Sequence, residues 1–178
     1  VRSATGHARP MTHDLDPTAL SWSRAHAMYA GDRTAQSLGI VLDDIAPGWA
    51  RLRMRVTEEM VNGHGTTHGG YLFLLADAAF AYASNSHGPV AVAQSAQTVF
   101  LRPSAPGDAL VAEAEERARI GLNGVYDVTV RRPDDGVVVA EFRGHSVVLP
   151  GWRKQATGTH DRPTHERPTH ERPSHERH

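Results

Sequence analysis

One short stretch of this 178-residue chain gathers residue types that acid–base chemistry needs. It opens with Asn62-Gly-His-Gly-Thr-Thr-His-Gly-Gly70 and runs into an apolar segment, Tyr71 to Ala83, whose single charged residue is Asp77. Because an unpaired buried carboxylate costs several kcal/mol, Asp77 is predicted to have a partner or a chemical role. Desolvation would raise its pKa, which suits general acid–base catalysis. The alternative is a structural aspartate that pairs with an arginine or caps a neighbouring turn.

The two glycines before the apolar segment predict a helix start that can hold a negative charge. Gly69 and Gly70 leave their backbone N–H groups unobstructed, and the helix dipole adds positive potential at the same end. Fixed donors of this kind could form an oxyanion hole, aimed at a developing negative oxygen. The alternative is that the glycine pair only makes a tight turn.

The spacing of these groups predicts that the site needs two chains. Gly69 and Asp77 are eight residues apart, which on a helix is about 12 Å along the axis. One small carbonyl group cannot contact both of them. An antiparallel pair of these helices, related by a two-fold axis, would bring Gly69 of one copy towards Asp77 of the other. We therefore expect a homodimer with two composite sites.

Composition removes several other kinds of chemistry. The chain has no cysteine, which excludes thiolate nucleophiles and cysteine metal sites. Lys154 is its only lysine, which argues against lysine Schiff-base chemistry and against a phosphate-binding P-loop. His64 and His68 have the spacing of a metal-binding pair, but Gly63 and Gly65 argue against the helix that such a pair needs. We therefore expect neither a metal nor a cofactor. A formal charge of −1 argues against a nucleic-acid partner, and no apolar run approaches the ~20 residues of a membrane span.

The wider pattern predicts an α+β domain at residues 16–150. Asp16-Pro17 is typical of a helix start, here for a helix over 18–30. Alternating apolar and polar residues predict six strands, at 40–45, 49–56, 90–101, 108–120, 124–131 and 136–149. We expect them to form an antiparallel sheet on one long central helix. Residues 1–15 are interpreted as a flexible extension without a signal peptide, which favours a cytoplasmic protein. Residues 151–178 are interpreted as a disordered tail that ends in a His/Arg/Pro repeat.

These motifs resemble those of the PaaI-type acyl-CoA thioesterases of phenylacetate degradation, which have the hotdog fold. The resemblance rests on the segment 62–70, on Asp77 and on Phe80-Ala-Tyr-Ala-Ser-Asn85, and it continues through Thr98-Val-Phe-Leu-Arg-Pro103. It implies a long central helix wrapped by a curved antiparallel sheet. It also implies dimers, often paired into tetramers, with the sites at the dimer interface.

The resemblance implies four catalytic residues. The Gly69 N–H would polarise the thioester carbonyl, and Asp77 of the partner copy would act as nucleophile or as the general base that activates water. Asn62 would orient the water or the substrate carbonyl, and His68 would lie beside the thioester.

Four further residues are expected to bind the substrate: Gly70, Ser95, Arg102 and Arg143. One side chain of the stretch 93–95, which includes Ser95, would line the acyl pocket. The two arginines are candidates for the phosphates of coenzyme A, with plain surface charge as the alternative. The implied reaction is hydrolysis of (hydroxy)phenylacetyl-CoA or a related aryl-acyl-CoA. A hotdog dehydratase of hydroxyacyl thioesters and a non-catalytic acyl-CoA binding module remain open as alternatives.

Overall fold

One antiparallel sheet and one long helix form most of the fold. The computed structural model describes residues 16–151, so the predicted extension and almost all of the predicted tail lie outside the described residues. Within this range there are three α-helices: α1 (Pro17–Tyr29), α2 (Arg33–Ser37) and α3 (Gly69–Asn85). The strands are β1 (Val41–Ala46), β2 (Trp49–Arg55), β3 (Ala91–Phe100), β4 (Ala109–Ile120), β5 (Asn123–Arg131) and β6 (Val138–Val148). They pair antiparallel in the order β1-β2-β4-β5-β6-β3, which confirms the predicted α+β class.

Helix α3 supplies the centre of the core. Its buried side chains include Leu75 and Phe80, and every second residue of the central strands points back at it, as Leu52, Val128 and Phe142 do. This alternation follows from the two-residue period of a strand with one buried face. The sheet therefore holds α3 along its length and fixes where the helix begins. No helix in the described part of the chain is long and apolar enough to cross a membrane.

The structure adds two short elements that the sequence pattern did not predict. Helix α2 spans five residues, and its N-cap Asp32 accepts a hydrogen bond from the Ala35 N–H at 2.9 Å. A single 3₁₀ turn, Glu58–Met60, leads into the segment before α3. Neither is long enough to show an apolar period, and of the two only α2 has a side-chain cap. Helix α1 begins at Pro17, where Asp16 caps it as predicted.

Two adjoining surfaces of the single chain remain open. Strand β3 is at an end of the sheet, and most of its side chains are exposed whichever face they point to. On α3, one stripe is less buried than the rest; Phe73 is 38% exposed and Asp77 is half-buried. The core of one chain thus explains only part of the apolar surface of α3, because this stripe stays exposed. An open edge strand beside an open apolar stripe is typical of a surface that a partner covers.

Candidate active site

The segment before α3 is organised by the side chain of Asn62. Its Oδ1 accepts hydrogen bonds from the backbone N–H groups of His64 (2.8 Å) and Thr66 (3.4 Å). Its Nδ2 donates to the Thr66 hydroxyl at 3.1 Å. Gly65 completes the loop with a φ of 74°, a left-handed conformation that glycine adopts without strain. Asn62 therefore shapes this loop, and one of its two amide hydrogens remains available to another acceptor.

A buried hydroxyl pair ties this loop to the segment that follows β3. The Ser104 hydroxyl donates to the Thr67 hydroxyl at 2.7 Å, and the Thr67 N–H donates to the Ser104 carbonyl at 2.8 Å. The segment before α3 and the segment at the end of β3 form the walls of a groove at the start of α3, called here the α3 groove. Its volume is about 480 Å³, and its lining includes Asn62, Thr66, Gly69, Leu72, Phe100 and Arg102.

The start of α3 presents one unused backbone donor to this groove. His68 is the N-cap, and its Nδ1 accepts a hydrogen bond from the Gly70 N–H at 3.0 Å. The Gly70 amide is therefore occupied, and the predicted substrate contact by this group is not supported. The Gly69 N–H makes no hydrogen bond to any residue in the range 16–151. The helix dipole also favours an anion at this point, so the Gly69 N–H is able to donate to a negatively charged oxygen.

The Phe100 ring packs closely against Gly69. A Cβ built on Gly69 would lie 3.0, 3.2 and 3.3 Å from three carbons of the Phe100 ring. The ring thus packs against the first residue of α3 and forms one wall of the groove. The sequence pattern did not mark Phe100 as a site residue. Its ring faces α3 because the cross-strand neighbour Ala140 is buried, and residues paired across two strands point to the same face of the sheet.

Asp77 lies on the open stripe of α3, outside the α3 groove of its own chain. Partial burial raises the pKa of its carboxyl above the ordinary value, and no hydrogen bond or ion pair from the described residues offsets this effect. The structural alternative, an aspartate paired with an arginine, is therefore absent from residues 16–151. A half-buried carboxylate with a raised pKa and no partner among the described residues has the properties of a catalytic base.

The two arginines predicted to bind phosphate lie in different places. Arg102 lies in the α3 groove, where its guanidinium donates to the Leu101 carbonyl at 2.9 Å. Arg143 lies on the outer face of the sheet and binds both carboxylate oxygens of Asp127, at 2.6 and 2.8 Å. This ion pair raises the pKa of Arg143, so Arg143 is already neutralised and lies away from the groove.

Ser95 also lies on the outer face, contrary to the expectation that it lines the acyl pocket. It is paired across the strands with exposed His145, and its hydroxyl is 3.1 Å from the His145 Nδ1. The reason is a bulge between Ala93 and Ser95, which shifts the register by one residue. Such a shift turns the following side chains to the opposite face.

Comparisons with known proteins agree with this fold. Residues 64–139 match the family model of the thioesterase superfamily. Acyl-coenzyme A thioesterase PaaI of Escherichia coli is 47% identical over 131 residues, which cover 74% of this chain and 93% of that protein. The solved structure of E. coli PaaI, described as a protein of the phenylacetic acid degradation operon, matches with a TM-score of 0.74 at 44% identity, covering 75% of this chain and 96% of that one.

Two further solved structures extend the comparison. A mutant of the phenylacetic acid degradation protein PaaI from Thermus thermophilus matches with a TM-score of 0.63 at 38% identity over 66% of this chain and all of that one, 100%. A Streptococcus mutans protein bound to acetyl-CoA matches with a TM-score of 0.60 at 25% identity over 62% of this chain and 88% of that one. These similarities confirm the hotdog fold. The chain therefore belongs to the PaaI-type thioesterases of the thioesterase superfamily and is a thioester hydrolase.

Proposed function

We propose that the protein hydrolyses aryl-acyl-CoA thioesters, with phenylacetyl-CoA and its ring-hydroxylated forms as the preferred class, and acts in phenylacetate catabolism in the cytoplasm. The observation that carries the proposal is a Gly69 N–H in a groove at the start of α3, on the same helix as the carboxylate of Asp77, neither of which has a partner within residues 16–151. The relatives support the substrate class, since the E. coli protein is named an acyl-coenzyme A thioesterase and its structure is assigned to the phenylacetic acid degradation operon.

The reaction needs an oxyanion donor and an activated water. The Gly69 N–H would receive the thioester oxygen and hold the negative charge of the tetrahedral intermediate. Asp77 of the partner would take a proton from water as the water attacks the carbonyl carbon, and would return it to the departing coenzyme A thiolate. In the alternative route the Asp77 carboxylate attacks the carbonyl carbon directly, the C–S bond breaks and coenzyme A leaves as the thiolate, and water then hydrolyses the resulting anhydride to the free acid and the carboxylate.

Asn62 and His68 would act around this centre. The free amide hydrogen of Asn62 would orient the water or the carbonyl, while its other bonds keep the loop fixed. His68 lies beside the donor, and because its Nδ1 accepts from Gly70, its remaining hydrogen is on Nε2. That N–H would be available to the substrate.

A homodimer supplies both halves of the site. Phe73 is midway between Gly69 and Asp77 on α3, and all three lie close to one face because residues four apart on a helix are neighbours. An antiparallel pair of α3 helices with its two-fold axis near Phe73 would cover the open stripe and bring Gly69 to the partner's Asp77. The open edge of β3 would pair with its copy at the same interface. We propose that such dimers associate further into tetramers, as the resemblance implies.

Placing a charge on the proposed two-fold axis should abolish the site. Phe73→Arg would oppose two guanidinium groups in an apolar interface, so we expect monomers, with thiol release reduced by about 10²-fold or more because no complete site remains. Light scattering after gel filtration measures the mass, and circular dichroism checks the fold. Phe73→Leu is the matched control and should stay dimeric. A fully active dimeric Phe73→Arg variant would exclude this interface.

A thiol-release screen tests the reaction and the substrate class together. Phenylacetyl-, hydroxyphenylacetyl- and medium alkyl-CoA thioesters are compared by kcat/KM, and hydration of an enoyl-CoA is followed in parallel. We expect thiol release, fastest with the aryl thioesters. Hydration without thiol release would indicate the dehydratase, and binding without either reaction would indicate a binding module.

A further inference from the structure

A second pocket lies between α1 and the first residues of β1, at the edge of the sheet opposite β3. It has a volume of about 200 Å³ and is called here the α1 pocket. Its lining consists of Trp22, His26, Tyr29, Val41 and Leu42. The three residues with rings form one stripe of α1, because positions three and four apart on a helix lie on the same face. The α1 pocket shares no lining residue with the α3 groove.

Contacts within the chain hold the walls of this pocket in place. The Tyr29 hydroxyl donates to the Ile40 carbonyl at 3.1 Å, which fixes that ring beside the start of β1. The rings of Trp22 and His26 are tilted by 44°, with their centroids 5.5 Å apart. Trp22, Tyr29 and Leu42 also pack against the core. A pocket whose walls are already ordered loses little conformational entropy when a ligand enters it.

The size and lining of the α1 pocket favour a single aromatic ring. Its volume of about 200 Å³ is below the ~300–1,000 Å³ that is usual for the sites of drug-sized ligands. A coenzyme A thioester is therefore far too large for it, whereas a benzene ring with a short substituent is of the right size. Aromatic walls suit such a ring, because paired rings gain energy beyond the area that they bury.

Two polar side chains of the pocket are available to a ligand. Within residues 16–151, the Trp22 indole N–H and the ring nitrogens of His26 make no hydrogen bond. The acidic side chains of β1 are already engaged, since Asp43 pairs with Arg53 and Asp44 accepts a backbone N–H. A carboxylate on the ligand would accept from the indole and from the imidazole, which donates from both nitrogens when it is protonated.

We propose that the α1 pocket binds a small aromatic carboxylate. The ring lies between the side chains of α1 and the start of β1, and the carboxylate accepts hydrogen bonds from Trp22 and from exposed His26. Arylacetates, which the proposed reaction releases, belong to this class of ligand. The inference itself rests on the pocket and goes beyond the proposed function. Because the pocket is separate from the α3 groove, the ligand binds alongside coenzyme A.

Titration of the full chain with phenylacetate, in the presence of saturating coenzyme A, tests the inference by calorimetry. We expect a Kd of about 0.1–1 mM, which is in keeping with the small size of the ligand. Phenylacetamide keeps the ring but has no charge, and it should bind about tenfold more weakly. Acetate has no ring and should show no measurable binding.

Two variants of the pocket should weaken this binding. Val41 is 37% exposed, so Val41→Trp can fill the pocket without disturbing the core and should abolish binding. His26→Gln removes the charge that the imidazole can carry and should weaken binding about tenfold. Ile120→Trp and His145→Gln are the matched controls, because they make the same changes at exposed positions of other strands, and both should bind as the parent does. Circular dichroism confirms that each variant is folded.

Proton NMR of the histidine rings then locates the bound ligand. The signals of His26 are assigned by their absence from the His26→Gln spectrum. They should shift when phenylacetate is added, whereas those of His145 should not. Phenylacetate binding that is unchanged in Val41→Trp, or no binding by the parent chain, would overturn the inference. Each result is independent of thioester hydrolysis, because no turnover is measured.

Discussion

Replacing Asp77 with asparagine is expected to lower kcat for thioester hydrolysis by about 10²–10⁴-fold, the usual contribution of a positioned general base. If the carboxylate is the nucleophile, the loss should be at the upper end of this range, because the amide cannot form the anhydride. The isosteric change keeps the shape of the side chain, so coenzyme A should bind with nearly its original affinity. Thiol release measured beside calorimetry gives both numbers.

The same variant should be more stable than the parent at neutral pH. Partial burial raises the pKa of Asp77 in the folded state, so folding favours the protonated acid and stability falls as pH rises from the unfolded pKa through the folded one. At neutral pH the full cost of the charge is present, and asparagine removes it. The gain in Tm should disappear below about pH 4, where the unfolded carboxyl is also protonated.

A lower kcat together with a higher Tm in Asp77→Asn distinguishes a catalytic role of Asp77 from a structural one. A structural aspartate would lose stability on replacement, because a neighbour would lose its partner. Asp77→Asn with undiminished thiol release would contradict the catalytic assignment, and a large fall in Tm at neutral pH would indicate a structural role.

Removing the backbone donor at position 69 is expected to have the second-largest effect. Gly69 is the first residue of α3, a position where proline is well tolerated. His68 already has the extended conformation that precedes a proline, with a ψ of 130°. Gly69→Pro therefore deletes the N–H and retains the helix start. Loss of one oxyanion donor typically lowers kcat by about 10²–10³-fold.

Gly69→Ala is the control for crowding in this experiment. Its Cβ would meet the Phe100 ring at the same short distances, but the N–H remains. The ring is exposed and can move, so a moderate loss is expected for alanine and a much larger one for proline. Equal losses in the two variants would show that crowding against Phe100, and not the amide, is what matters at this position.

The parts of the fold that sequence predicted are those with a long, regular pattern. The six strands and α3 were located to within a few residues, because burial of one strand face or of most of a helix imposes a clear period. The segment 62–70 and Asp77 were recognisable because glycine, histidine and aspartate are unusual beside a long apolar helix. Helix α2 had no such period, and its start depends on one cap by Asp32.

The details of the site depended on contacts between distant residues. Sequence could not show that the ring of His68 occupies the Gly70 amide, which leaves Gly69 as the available donor. Counting alternate residues from Ala91 places the Ser95 side chain on the inner face of the sheet. The bulge after Ala93 turns that side chain to the outer face instead. The ion pair between Arg143 and Asp127 likewise joins residues that are remote in the chain.

The most direct test of the composite site is complementation between two inactive chains. Asp77→Asn and Gly69→Pro chains are co-expressed with different tags, and the mixed dimer is isolated and assayed for thiol release. If Gly69 acts with the partner's Asp77, each mixed dimer has one site with both changes and one with neither, so activity should return to about half of the wild-type value per dimer. If the two groups act within one chain, both sites of the mixed dimer are defective. A pure mixed dimer as inactive as either parent variant would contradict the account.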